Sequence, residues 1–156
     1  MVCVHVWRVH LLGEQTNKQK GNDMSRSGYS YDCENLELYR AAVDRAIHGK
    51  RGQAFLRELV MVLDEMPEKI LISEELINES GQCCAIGAVC KARSLDVSKI
   101  DYWDPDSVAR SIGVARSMAA EIEYENDEGS YKVETPQDRW ARMRKWASDN
   151  LVERPS

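Results

Sequence analysis

Histidine is scarce in this chain, and with it most of what would make a metal centre or an acid–base catalyst easy to place. The three histidines stand at positions 5, 10 and 48 of 156 residues. No two cysteines take the C-x₂₋₄-C spacing that tetrahedral zinc favours. There is no G-x-x-x-x-G-K-[ST] loop to cradle phosphates and no D-x-D-x-D-G calcium loop. No apolar run approaches the ~20 residues of a membrane-spanning helix. An excess of positive charge is also missing. The formal net charge is −5, so no global field draws in nucleic acid or an anionic membrane. The charge is uneven: residues 1–26 carry +2, leaving −7 for the remainder. The five cysteines, Cys3, Cys33, Cys83, Cys84 and Cys90, are an odd set. Residues 1–12, interrupted by His5, Arg8 and His10, lack the basic start and unbroken apolar stretch of a secretory signal. Reduced thiols in a cytoplasmic setting are therefore expected, with the cysteines acting as small buried hydrophobes.

What the chain does have is helical periodicity. Hydrophobic residues make up 43% and charged residues 30% of the sequence, enough for one packed domain with a wet surface. Over 34–66, Leu36, Tyr39, Val43, Ala46 and Ile47 recur at helical spacing, and Phe55, Leu56, Leu59, Val60 and Leu63 do so again. Between them lies the basic turn His48-Gly49-Lys50-Arg51-Gly52. Two amphipathic helices joined this way fold back on each other as a hairpin. Asp32 is placed to cap the first helix, Gly49 to end it and Pro67 to stop the second.

The fold class expected is mainly α: this hairpin, a helix-turn-helix-like corner and a C-terminal helix, with a short β-hairpin possible at about 69–85. The alternative for that last segment is a one-turn helix capped by Ser73. Helical spacing resumes at Ala85 with Ile86, Val89 and Ala92. Asp104-Pro105 and Thr135-Pro136 each read as a cap followed by proline in the first turn. Val108, Ile112, Val114, Met118, Ala119 and Ile122 make a stripe broken by Gly113; Trp140, Met143, Ala147 and Leu151 make the last one. Residues 1–23 stand apart. Val2, Val4 and Val6 alternate in a strand-like pattern, followed by the linker-like GEQTNKQKGND. The division expected is an extension or arm at 1–23, with Met24 as a natural start, and one helical domain at 24–156.

Several clusters invite chemistry, and each has a simpler structural explanation. Over 106–125, Ala109 and Gly113 sit where a helix-turn-helix needs a small residue and a turn, with Arg110, Arg116 and Ser117 as candidate nucleic-acid contacts. The carboxylates that follow would repel a duplex, so a structural corner is the better reading. Lys50 and Arg51 could hold an anion at a helix start, but complementing the end of the first helix is the better explanation. Cys3, His5 and His10 could ligate a metal only as an incomplete set. The acidic run Glu121, Glu123, Glu125, Asp127 and Glu128 reads as a solvated face and, with Arg142, Lys145 and Trp146 on the last helix, as a polarised surface for a protein partner. Trp146 lies off the apolar stripe and is the expected anchor, while Trp140 is expected in the core.

From Arg26 onward the segments RSGYSYDCEN, AIHGKRGQAFLREL, LDEMPEK, CAIGAVCKAR, YEND and ETPQDRWARMRKW cover nearly all of 26–151. In them the chain resembles a family of small uncharacterised proteins encoded in bacterial, prophage and phage genomes. The resemblance implies a start near Met24 and a mobile-element context, and it carries over no catalytic residues. The function expected is that of a non-enzymatic accessory protein without a cofactor. It would act on a host or bacterial immune protein as a counter-defence (anti-CRISPR-like) inhibitor in the bacterial cytoplasm. The alternative is a helix-turn-helix DNA-binding regulator, and a weaker one is a nucleotide binder or enzyme using Lys50 and Arg51.

Overall fold

The computed structural model describes residues 26–27 and 35–153. The arm at 1–23, its metal-ligand option and the Asp32 cap lie outside the described residues. Among the described residues there are six α-helices: α1 (Leu36–His48), α2 (Lys50–Glu65), α3 (Ala85–Ala92), α4 (Pro105–Ile112), α5 (Arg116–Glu128) and α6 (Pro136–Asp149), with a 3-10 turn at Val97–Lys99. The fold is mainly α, as the periodicity requires.

Helices α2 and α5 are the two axes of the domain. α2 packs on α1, α3 and α6, and α5 packs on α1, α3, α4 and α6. Their stripes meet in one core, with Leu56, Leu59, Leu63, Ile86, Val89, Met118, Ile122 and Met143 essentially inaccessible. Burying a side chain of this size contributes roughly 1.5–3 kcal/mol. Polar staples register the layers. Arg93 holds both oxygens of Glu58 at 2.7 and 2.6 Å and donates to the Ile112 carbonyl at 2.8 Å. Arg144 does the same to Asp64, twice at 2.9 Å.

The α1–α2 connection is tighter than a five-residue turn. Gly49 alone joins the helices, in extended conformation, and Lys50 and Arg51 already belong to α2. They occupy the first turn of the second helix rather than completing the end of the first. Two glycines make this possible. A Cβ on Gly52 would stand 2.0 Å from the Ala46 carbonyl oxygen and 2.8 Å from that of Ile47, so the backbones touch where α2 leaves α1. Buried Gln53 secures the junction. Its amide donates to the carbonyls of Ile47 (3.0 Å) and Asn150 (2.8 Å), and its oxygen accepts from the Val152 N–H at 2.8 Å.

The segment 69–85 contains no strand. Its hairpin character is reduced to one antiparallel bridge, Ile77 with Cys83, around a turn closed by Asn78 and Gln82. The Ser73-capped helix does not form either. Two further backbone bonds close the segment on itself, Ile72 N–H to the Cys83 carbonyl and Cys84 N–H to that of Leu76, while Leu71 N–H goes out to the Pro136 carbonyl, all at 3.0–3.1 Å. The caps read from sequence are present farther along. The Asp104 carboxylate accepts from Asp106 N–H at the start of α4, Gly113 ends it at φ +78°, and Thr135 and Asp138 form a reciprocal capping box on α6.

Candidate functional site

The acidic run on α5 does not form one face. Successive residues on an α-helix turn by about 100°, so Glu121, Glu125 and Glu128 share one side while Glu123 and Asp127 share the other. The structure neutralises the two sides separately. On the first, Arg40 of α1 reaches Glu121 at 3.4 Å, and Arg142 of α6 lies 3.8 Å from Glu125 while clamping Glu134 at 2.7 and 2.9 Å. On the second, Arg26 forks onto Asp127 at 2.6 and 2.9 Å. Glu121 and Glu123 are buried, and Glu128, which accepts from the Ser27 hydroxyl at 3.4 Å, is exposed. The expected continuous negative surface is therefore mostly an internal electrostatic network.

That network has an unusual centre. Arg26, 2% exposed, directs its remaining nitrogen at the Cys84 sulfur, 3.7 Å away, and that sulfur also accepts from the Gly87 N–H as the cap of α3. Asn126 locks the surroundings: its oxygen accepts from Ala85 N–H at 3.0 Å, and its amide donates at 2.8 Å to both the Ile72 carbonyl and Asp127. Glu123 is fully buried and neither of its carboxyl oxygens has a hydrogen-bond partner. Burial pushes its pKa up to about 8, with Asp127 and Asp104 adding to the rise and Arg26 opposing it. Glu125 is pushed up to about 7, first by burial and then by Glu121. Replacing Asn126 with Leu leaves the Ala85 donor and the Ile72 acceptor unmet. At about 1–3 kcal/mol for each of the two stranded groups, the expected loss is about 2–6 kcal/mol, readable as the shift in a urea unfolding midpoint.

The remaining expected contacts are scattered. Lys145 is exposed and pairs with Asp149 one turn on. Trp146 is only partly accessible and packs against the core, like Trp140, whose indole N–H donates to the Leu63 carbonyl at 3.1 Å. Arg110 is exposed, Arg116 is held by Asp106 at 2.9 Å, and the Ser117 hydroxyl turns inward to the Ala42 carbonyl. The corner formed by α4 and α5 exists, but most of α5 is buried under its neighbours. A helix in that position has no free face to lay in a major groove.

Cys83, Cys84 and Cys90 are buried free thiols. Burial raises Cys83 and Cys90 to about 11, which keeps them protonated at neutral pH and poor as nucleophiles. Among the described residues, no three His, Cys, Asp or Glu side chains are grouped to hold a metal, and no helix is long and apolar enough to cross a membrane. A groove of about 300 Å³ lies between the end of α2 and the 78–82 turn, but its one ammonium, Lys91, is spent on the Gly81 carbonyl.

The residue that sequence reasoning missed is Trp103. Its side chain is 54% exposed, on the turn that leads into α4. The turn is rigidly built: the Asp101 carboxylate accepts from Trp103 N–H at 3.0 Å, and Ser107 Oγ accepts from Asp101 N–H at 3.1 Å. Tyr102, packed against the core, places its ring centroid 5.7 Å from the indole. Two charged pairs mark the start of α4 just after it, Asp104 with Arg110 and Asp106 with Arg116. The available signal was an aromatic pair inside the acidic DYWDPD, one position before a helix cap and so off any core stripe. No protein-family model, curated protein or solved structure matches the chain.

Proposed function

We propose that this protein is a non-enzymatic binding factor that acts by docking onto another protein, with Trp103 as its anchor. One observation carries the reading: a tryptophan more than half exposed, 54%, on a seat that its own backbone hydrogen bonds hold in place. Tryptophan is enriched among the residues that dominate interface energies, and a pre-organised one loses little entropy on docking. The salt-bridged pairs of Asp104 with Arg110 and Asp106 with Arg116, at the start of α4 next to it, supply polar groups of the kind found at the edge of such an interface. Glu128 and Lys145, exposed on α5 and α6, are further contact candidates. The resemblance to phage- and prophage-encoded proteins supports the setting: an accessory or counter-defence factor whose partner is a host or bacterial immune protein in the bacterial cytoplasm.

The test is capture of a partner from infected-host lysate by the full chain, followed by affinity measurement with Trp103→Ala. A lost anchor of about 2 kcal/mol corresponds to roughly thirty-fold weaker binding. The variant's melting temperature should stay close to wild type, because the removed ring is mostly in solvent. Trp146→Ala should do the opposite, lowering stability through the core. Full retention of the partner by Trp103→Ala would remove the basis of the proposal.

A further inference from the structure

We infer that the space between the start of α3 and the C-terminal half of α5 is a guanidinium-binding site, which the chain fills with its own Arg26 and which accepts a guanidinium from another molecule when Arg26 is withdrawn. Every nitrogen of the Arg26 guanidinium meets an acceptor: Nε and Nη2 the two oxygens of Asp127, at 2.6 and 2.9 Å, and Nη1 the Cys84 sulfur at 3.7 Å. This is the planar fork match that selects guanidinium over ammonium.

Two features distinguish the site from an ordinary ion pair. First, its walls are built without Arg26. Asn126 holds Asp127 from behind and ties it to Ala85 and Ile72, and the Cys84 sulfur is fixed by the Gly87 N–H. The acceptors therefore keep their places when the arginine leaves. Second, one turn before Asp127 on the same side of α5 stands an acceptor that Arg26 does not use. Glu123 is fully buried, within the electrostatic reach of the guanidinium, and both its oxygens lack a hydrogen-bond partner.

Glu123 also makes occupancy proton-linked. The charges facing it are Arg26, Asp127 and Asp104, with the Cys84 thiol beside the guanidinium. The cations of the other packed helices are committed elsewhere: Arg40 of α1 to Glu121, Lys91 and Arg93 of α3 to the Gly81 carbonyl and Glu58, Arg110 of α4 to Asp104, and Arg142 of α6 to Glu125 and Glu134. A bound guanidinium favours ionised Glu123, so by reciprocity loss of that proton favours the bound guanidinium. Occupancy tightens as pH rises through the range where Glu123, held up to about 8 by burial, gives up its proton.

The probe is methylguanidinium, with methylammonium at equal ionic strength as control. At about 10 mM it should raise the melting temperature of Arg26→Ala by about 2 °C or more and leave wild type unmoved. The gain should be larger at about pH 9 than at about pH 6, and this difference should vanish in Arg26→Ala/Glu123→Gln. Equal responses of wild type and Arg26→Ala, or no response in either, would overturn the proposal. Should Arg26→Ala fail to fold, trypsin reads the same event on the wild-type chain, because cleavage after Arg26 requires that side chain to leave its site. Cleavage there should be at least ten-fold slower than after exposed Lys132, and more so at the higher pH in wild type but not in Glu123→Gln. Cleavage after Arg26 as fast as after Lys132 would refute it.

Discussion

Gly87→Ala is expected to be among the most destabilising single substitutions in this protein, lowering its melting temperature by roughly 10 °C. A Cβ at position 87 would stand 1.9 Å from the Leu76 carbonyl oxygen, 2.7 Å from its carbon and 3.1 Å from Cys83 Cβ. Two of these neighbours are backbone, so no side-chain rotation relieves the clash. The same Leu76 carbonyl accepts from Cys84 N–H at 3.0 Å, and Cys84 caps α3 through Gly87 itself. Moving α3 far enough to admit a methyl group breaks the bridge, the cap and the packing of Ile86 and Val89 together. Overpacking against immovable atoms costs about 3 kcal/mol or more. For a domain of this size that is a fall in melting temperature of roughly 10 °C. Gly52→Ala, with its Cβ 2.0 Å from the Ala46 carbonyl oxygen, should behave alike. Gly113→Ala supplies the contrast. Nothing lies within 4 Å of its Cβ position, and the only penalty is its φ of +78°, worth about 1–2 kcal/mol. Thermal denaturation of the three variants should separate two severe effects from one mild one. Equal effects at all three sites would show that the close approaches are not what holds α1 to α2 and α3 to its turn.

Glu123→Gln should stabilise the protein, and increasingly so as pH rises from about 5 to about 8. The folded-state pKa of Glu123 is about 8, against an ordinary 4.5. Between these values the native state keeps a proton that the unfolded state has released. The unfolded state therefore binds fewer protons, and the stability of wild type falls with rising pH across that window, then levels. Gln carries no such linkage. At about 1.4 kcal/mol per pH unit the advantage of the variant is bounded by about 5 kcal/mol at the top of the window. Near pH 5, where wild-type Glu123 is neutral too, the two should be nearly equal. Glu125, raised to about 7 by burial and Glu121, contributes a slope of the same sign, so the variant keeps a residual dependence. Urea titrations at several pH values give the profile. A constant difference between variant and wild type across the window would mean that Glu123 is ionised in the folded protein throughout. This slope does not conflict with tighter Arg26 docking at high pH, because docking is measured against a folded state in which Glu123 has lost its counter-charge.

Much of the fold could be read before any tertiary contact was known. The caps at Asp104 and Thr135, the break at Gly113 and the stripes through Leu56, Leu59 and Leu63 or Val108 and Ile112 are local signals. Each depends on residues within one or two turns of one another. The connection at Gly49 was harder. That Lys50 already begins α2 depends on Gly52 letting one backbone rest on another, a contact the sequence marks only as a glycine. The partial burial of Trp146 is hidden from the sequence for a related reason. One helix's stripe shows which side is most apolar, while the extent of the core covering it is set by the helices that arrive from elsewhere. Trp103 carries no such local signal, because a residue just before a cap belongs to no periodic pattern.

The sequence by itself determined the helices and the greater part of the core, because hydrophobic spacing and capping act over a few residues. Only the tertiary structure decided what the charges of α5 do. Their alternation placed Glu121 and Glu125 on one side and Glu123 and Asp127 on the other. Whether either side met water or another helix depended on α1, α6 and Arg26, up to a hundred residues away in the chain. The electrostatics of a carboxylate follow from what surrounds it, and in this protein those surroundings are assembled almost entirely by long-range packing.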